Sequence, residues 1–232
     1  MKNIVIIGCG QGIGLAAAKL LSESNNVIGI SRSQNPEIQN LNIEFHQMDI
    51  LTGNFDDISF PDVIDGLVYA PGSINLKPFN RLTTDDFKND FEINVLGAVK
   101  TIQKLLPNLK KSESASVVLF SSVAVKLGMP FHASISSSKS AIEGLTKSLA
   151  AEFSAHKIRV NAIAPSLTDT HLASQLLSTP EKRDASAKRH PLQRIGNAEE
   201  IAKTTEFLLS PQASWITGQI IGVDGGMGSI KL

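Results

Sequence analysis

The chain has 232 residues, with 22 lysines and arginines balancing 22 aspartates and glutamates, so its charge argues against a nucleic-acid or anionic-membrane partner. Hydrophobic residues at 42% against 19% charged residues exclude a disordered tail and suffice for a sizeable core. The single Cys9 excludes an internal disulfide framework and a cysteine-based metal cluster, and points to a reducing compartment, the cytoplasm.

The uncharged stretch 3–18 is interrupted by four glycines and Gln11, which fits neither a signal peptide nor a membrane helix. Its first part, Ile4-Val5-Ile6-Ile7, is a continuous β-branched run, as expected of a strand covered on both faces. A glycine-rich turn follows, then a helix over 16–24. Val27-Ile28-Gly29-Ile30 gives a second strand ending in Ser31-Arg32-Ser33, and Ile43-Glu44-Phe45 a third that leads to Asp49. Between 49 and 63 there is room for a couple of turns at most before Pro61 closes them, so the third crossover is short. Val63-Ile64 with Leu67-Val68 marks a fourth strand. Helical spacing over 85–106 sets Phe87, Phe91, Asn94, Ala98, Ile102 and Leu105 on one stripe. A fifth strand at 117–120 precedes a helix over 138–156, whose apolar face carries Ile142, Leu145, Leu149 and Phe153.

The sixth strand covers 158–163. Residues 167–194 hold Pro180, Pro191 and clustered charges, and read as a substrate lid walled by Leu172, Leu176, Leu177 and Leu192, or as a plain surface insertion. A helix over 198–209, with Ile201, Thr205 and Leu208 on one face, leads to a last strand at 220–223. Repeated strand-helix-strand order predicts one α/β domain over 1–232. It is a Rossmann-type, doubly wound, seven-stranded and mostly parallel sheet, with helices on both faces and a shortened third crossover.

The first strand runs into Gly8-Cys9-Gly10-Gln11-Gly12-Ile13-Gly14. Glycines at a strand-to-helix turn let the backbone approach a diphosphate, and the amides of the first helical turn supply donors; tight packing is the bland alternative. The common G-x-G-x-x-G spacing fails from Gly8 because Ile13 takes its last place, whereas G-x-x-x-G-x-G is met by Gly8, Gly12 and Gly14. The acid expected about 20 residues on, which holds an NAD ribose, is also missing. Ser31 and Arg32 stand there instead. Arg32 suits a 2′-phosphate, favouring NADP(H) with NAD(H) possible, unless it is merely an exposed turn arginine.

Together these residues resemble the short-chain dehydrogenase/reductase family over nearly the whole chain. The resemblance implies that Asp49, followed by Ile50, contacts the adenine, and that Asn94 is the family's helix asparagine. It implies that Ser122 in Phe120-Ser121-Ser122 is the catalytic serine and Lys139 in Ser138-Lys139-Ser140-Ala141 the catalytic lysine, which also holds the nicotinamide ribose. Tyr69-Ala70-Pro71-Gly72 falls where relatives carry Asn-Asn-Ala-Gly beside the cofactor. Pro165 ends a motif like one of the family's cofactor-side motifs, with Ser166 in place of a glycine after it, and Thr168 and Thr170 fall where relatives hold the nicotinamide carboxamide. No metal is implied. Partners implied are a small-molecule substrate and further copies of the chain in a homodimer or homotetramer, built partly from the helices at 85–106 and 138–156.

In that family a tyrosine hydroxyl exchanges the proton at the substrate oxygen, four residues before the lysine on one helix face. Four before Lys139 stands Ile135, which is also 13 after Ser122, and the chain's single tyrosine is Tyr69. Isoleucine cannot exchange a proton. Three readings follow: an oxidoreductase of carbonyls or secondary alcohols that takes its proton from water, Ser136, His132 or the substrate; a nucleotide-binding sensor, partner subunit or scaffold without turnover; or non-redox elimination using Lys139. As bland alternatives, Asn94 is a satisfied buried amide, Ser122 a strand-end cap and Ile135 a core residue beside Ile142.

Overall fold

The computed structural model describes residues 1–231. Along β1 (Asn3–Ile7) the side chains alternate between two cores, Val5 and Ile7 entering one and Ile4 and Ile6 the other. The same division separates Ile30 from Val27 in β2 (Asn26–Ser31), which pairs on its outer side with β3 (Ile43–Gln47). It also separates Leu67 from Val68 in β4 (Gly66–Tyr69), Val117 from Val118 in β5 (Ser116–Phe120), and Ala162 from Ile163 in β6 (Arg159–Pro165). Strands buried on both faces need apolar residues at consecutive positions, which is why these runs are continuous. After a separate two-stranded pairing of β7 (Thr168–Asp169) with β8 (Gly196–Asn197), β9 (Ile220–Val223) completes a seven-stranded sheet. Its order is β3-β2-β1-β4-β5-β6-β9, and every neighbouring pair is parallel.

One face is covered by α1 (Gly12–Ser22), which begins four residues before the expected start. The second crossover has only the four-residue α2 (Pro36–Gln39), and the third only a 3-10 turn at Phe55–Asp57, where buried Phe55 fills core space in place of a helix. Next come α3 (Thr84–Phe91), a π-helical turn at Glu92–Leu96, and α4 (Gly97–Leu109), which covers the opposite face through Ile102 and Leu105. The π turn corrects the expected stripe. Its extra residue rotates the helix ahead of it, so Asp90 is buried with Asn94 while Phe91 is 40% exposed.

After β5 come α5 (Val123–Lys126) and α6 (Ala133–Phe153), which starts five residues before the expected 138. Serines are weak helix formers, but Ser137 Oγ donates to Ala133 O at 2.7 Å and Ser140 Oγ to Ser136 O at 2.8 Å, so their hydroxyls are satisfied within the helix. The segment after β7 winds through a 3-10 stretch, His171–Leu177, and α7 (Pro180–Lys188). Finally α8 (Ala198–Leu209) joins α1 on the first face, buried Ile201 and Leu208 packing into the core that holds Leu15 and Leu21. Asn161 explains why the closing segment docks where it does. Its Nδ2 donates to Ile216 O at 2.9 Å and its Oδ1 accepts from Gln219 N at 3.0 Å, pinning the approach to β9. Among the described residues, no helix is long and apolar enough to cross a membrane, and no cluster of His, Cys, Asp or Glu could hold a metal ion.

Candidate active site

The strand order reverses direction between β1 and β4, and at such a switch point a crevice opens beyond the carboxyl ends of the strands. The glycine loop forms its floor. Gly8 has φ +84, and a β-carbon there would lie 2.9 Å from Pro71 N; one on Gly14 would lie 2.1 Å from Gly8 O. Glycine at both positions lets the first turn of α1 sit directly on the loop. Gln11 gives α1 no side-chain cap, so its first-turn amides are left to an anion in the crevice.

Two adjoining cavities occupy the crevice, of about 170 and about 480 Å³. Gly8, Gly10, Gln11, Gly12, Ile13 and Gly14 line the smaller, with Ser31 and Arg32 from the end of β2 and Asp49 and Ile50 from beyond β3. Ala70, Pro71, Gly72 and Thr170 close it. Arg32 is exposed, and Ser31 Oγ donates to Ser33 O at 2.6 Å. The two cavities share Ile13, Ala70, Gly72, Thr170 and Leu172, so a ligand long enough to lie in both would cross the glycine loop.

The larger cavity is walled by Ser122, Ile135, Lys139, Pro165 and Thr168. Ser122 serves as a cap as well as a wall, its Oγ accepting from Ala124 N at 3.2 Å at the start of α5. Lys139 is buried. Its Nζ donates to Phe120 O at 2.9 Å, which leaves two donors free, and burial lowers the ammonium to about 8 against an upward pull from Asp90. Asn94 lies behind Gly72, 1% exposed, and its Oδ1 has no hydrogen-bond partner. A β-carbon on Gly72 would fall 3.3 Å from that oxygen and 3.5 Å from Lys139 Nζ.

Ile135, one helical turn before Lys139, fills its part of the cavity wall with an aliphatic side chain. Tyr69 lines neither cavity. It is buried in β4 and donates to Ile93 O at 2.6 Å; burial and the charge of Asp49 push its hydroxyl up. Ser136 is not on the cavity wall either, its Oγ donating to Ala124 O at 2.9 Å, whereas His132 lines the cavity mouth. In the 167–194 segment Leu172 and Leu176 wall the cavity, but Leu177 is buried beneath it and Leu192 faces a separate cavity.

Four polar groups escaped the sequence reading. Asp90 is 2% exposed, and its carboxylate accepts from Ser73 Oγ and Ser134 Oγ, both at 2.5 Å. An acid one turn before Asn94 was the available signal, but only the π turn puts both on the buried face. His190 is 1% exposed; Ser186 O, 2.9 Å from Nδ1, can only accept, so Nδ1 carries the proton and Nε2 accepts from Ser166 Oγ at 2.7 Å.

The uncapped helix start, the glycine cradle and the orphaned Asn94 oxygen fit a nicotinamide dinucleotide lying along both cavities. A family model described as Enoyl-(Acyl carrier protein) reductase matches residues 8–228. A 3-oxoacyl-(acyl-carrier-protein) reductase of Thermotoga maritima is 31% identical, with 97% of each chain covered. Among solved structures, a 4-hydroxyisoleucine dehydrogenase complexed with NADH superposes with a TM-score of 0.88 at 28% identity, covering 100% of both chains. A putative 2-deoxy-D-gluconate 3-dehydrogenase of Agrobacterium tumefaciens with bound NADP gives 0.89 at 28% identity, covering 97% of this chain and 96% of that one. The chain belongs to the short-chain dehydrogenase/reductase family.

Proposed function

We propose that this protein is an NADP(H)-dependent oxidoreductase that interconverts a carbonyl and a secondary alcohol in the larger cavity, using Lys139 as its proton donor and acceptor. The cofactor, held by the glycine loop, Arg32, Asp49, Thr168 and Thr170, would supply or take up the hydride. Every other role falls to side chains of the chain itself. Ser122 Oγ, at the cavity wall, orients the substrate oxygen by hydrogen bonding. Lys139 Nζ has two donors uncommitted and, lowered to about 8, gives up or accepts a proton near neutral pH. Asn94 Oδ1 holds water or ribose hydroxyl against that ammonium. Leu172, Leu176 and the neighbouring lid backbone exclude bulk water.

The observation that carries this reading is the buried, cavity-facing Lys139 beside an aliphatic Ile135. The same Ile135 supports the second reading, a nucleotide-binding protein without turnover, because general acid-base help is worth about 10²–10⁴ in rate and the family's tyrosine is absent. NADPH oxidation by the purified chain across a panel of aldehydes and ketones separates them. Wild type turns over at least one carbonyl, and Lys139→Met lowers kcat by about 10² or more. Equal rates for the two proteins would refute Lys139 as donor; NADPH binding with no turnover across the panel would favour the second reading.

A further inference from the structure

Asp90 is a buried carboxylate that none of the roles above uses. It lies in the last turn of α3, before the π turn, and is the buried residue of that helix, whereas Asp86 one turn earlier is paired with Lys77. The hydrogen bonds around it have one consistent direction. Ser73 gives its only proton to Asp90 Oδ1 at 2.5 Å, so its oxygen is free to accept from Asn94 Nδ2 at 3.1 Å. The second proton of Nδ2 goes to Asp90 O at 2.8 Å, and Ser134 donates to Asp90 Oδ2 at 2.5 Å. With both amide protons committed, Asn94 must turn Oδ1 the other way, toward the point above Gly72 that lies 3.3 Å from it and 3.5 Å from Lys139 Nζ. Carboxylate, serine, amide and ammonium thus form one buried polar cluster.

Burying either charge alone costs several kcal/mol, so an apolar α3 face would serve the fold at least as well. The other charged or titratable groups near Lys139 are otherwise engaged or peripheral. On its own helix Glu143 accepts from Ser121 Oγ at 2.7 Å, and His132 stands at the cavity mouth with Nδ1 on Pro130 O. Arg189, beyond α7, lines the far wall, His190 is bound by Ser166 and Ser186 O, and Tyr69 of β4 is committed to Ile93 O. Asp90, joined to the Lys139 side of the cluster through Ser73 and Asn94, is the acid whose charge opposes the downward pull of burial on the ammonium.

We propose that Asp90 is the positioning residue of this site: through Ser73 it fixes the Asn94 amide, and as the buried counter-charge it keeps Lys139 an ammonium where no tyrosine is within reach. The proposal rests on the reading of Lys139 as proton donor, but its test does not need turnover. The Lys139 side-chain resonance of the full chain, ¹³C-labelled at lysine and assigned by its loss in Lys139→Met, is titrated in wild type, Asp90→Asn and Asp90→Leu. Leucine suits the apolar stripe if the amide does not fold. In each variant the titration midpoint falls by about one pH unit, because removing a nearby anion favours the neutral amine. The alkaline limb of the kcat profile moves the same way, with KM changed less than about twofold. A midpoint unchanged in both variants, with the NADPH-induced rise in Tm intact, overturns the proposal. A shifted midpoint in a chain that reduces no carbonyl supports Asp90 as counter-charge and sinks the oxidoreductase reading instead.

Discussion

The proposed preference for NADP(H) rests on one residue, Arg32. It stands exposed on the wall of the smaller cavity beside Ser31, with no acid at the end of β2 to repel a phosphate. A guanidinium bound to a 2′-phosphate makes charge-assisted hydrogen bonds worth about 1.5–3 kcal/mol. Arg32→Ala should therefore raise the Kd for NADPH about tenfold to a hundredfold in calorimetric titration and change that for NADH by less than about twofold. An equal loss for both cofactors would mean that Arg32 stacks or packs without reading the phosphate. Arg32 was legible from its place at the end of the second strand, whereas Ser122 and Lys139 were singled out only through the resemblance to the family's motifs. Asp90 was not legible in that way. Aspartate is ordinarily a surface residue, and only the packing of α3 against α6 turns this one inward.

Among the elements, the helix from α3 through the π turn to α4 holds both the clearest success of the sequence pattern and its clearest failure. Ala98, Ile102 and Leu105 are buried on the expected stripe, whereas Phe91 faces outward because a π turn cannot be seen in hydrophobic periodicity. The short third crossover was legible for the opposite reason: before Pro61 the sequence leaves room for a couple of turns at most. The turned-out Phe91 has a consequence for assembly. With Leu96, 49% exposed, and Phe87, it forms a shallow apolar groove against Ser134 and Ser137 of α6, on the helices expected to join copies of the chain. A charge placed there would have to be desolvated in the contact. Light scattering should find wild type as a dimer or tetramer at micromolar concentration, and Leu96→Glu with at least a tenfold weaker association, by about 1.4 kcal/mol or more. A monomeric wild type, or a variant that assembles equally well, would remove this face from the interface.

For the molecule as a whole, the sheet order opens the crevice and the proposed mechanism rests on the buried cluster at its end. The parallel strands bring Gly8, Arg32 and Asp49 to the smaller cavity and Gly72 to its junction with the larger one, where α6 brings Lys139. What the cavity does not supply is a tyrosine, and in the proposed mechanism Lys139, held charged by Asp90, replaces it as the proton donor. Hydride transfer reports on this most directly, because a slow reaction that escapes an absorbance assay still leaves a label in the product. Wild-type protein is incubated with NADPH deuterated at the reactive face of C4 and with a carbonyl panel, and the alcohols are analysed by mass spectrometry. Deuterium is expected in the alcohol from wild type and about 10² less from Lys139→Met. Binding of NADPH with no deuterium in any alcohol, or equal labelling by the two proteins, would contradict it.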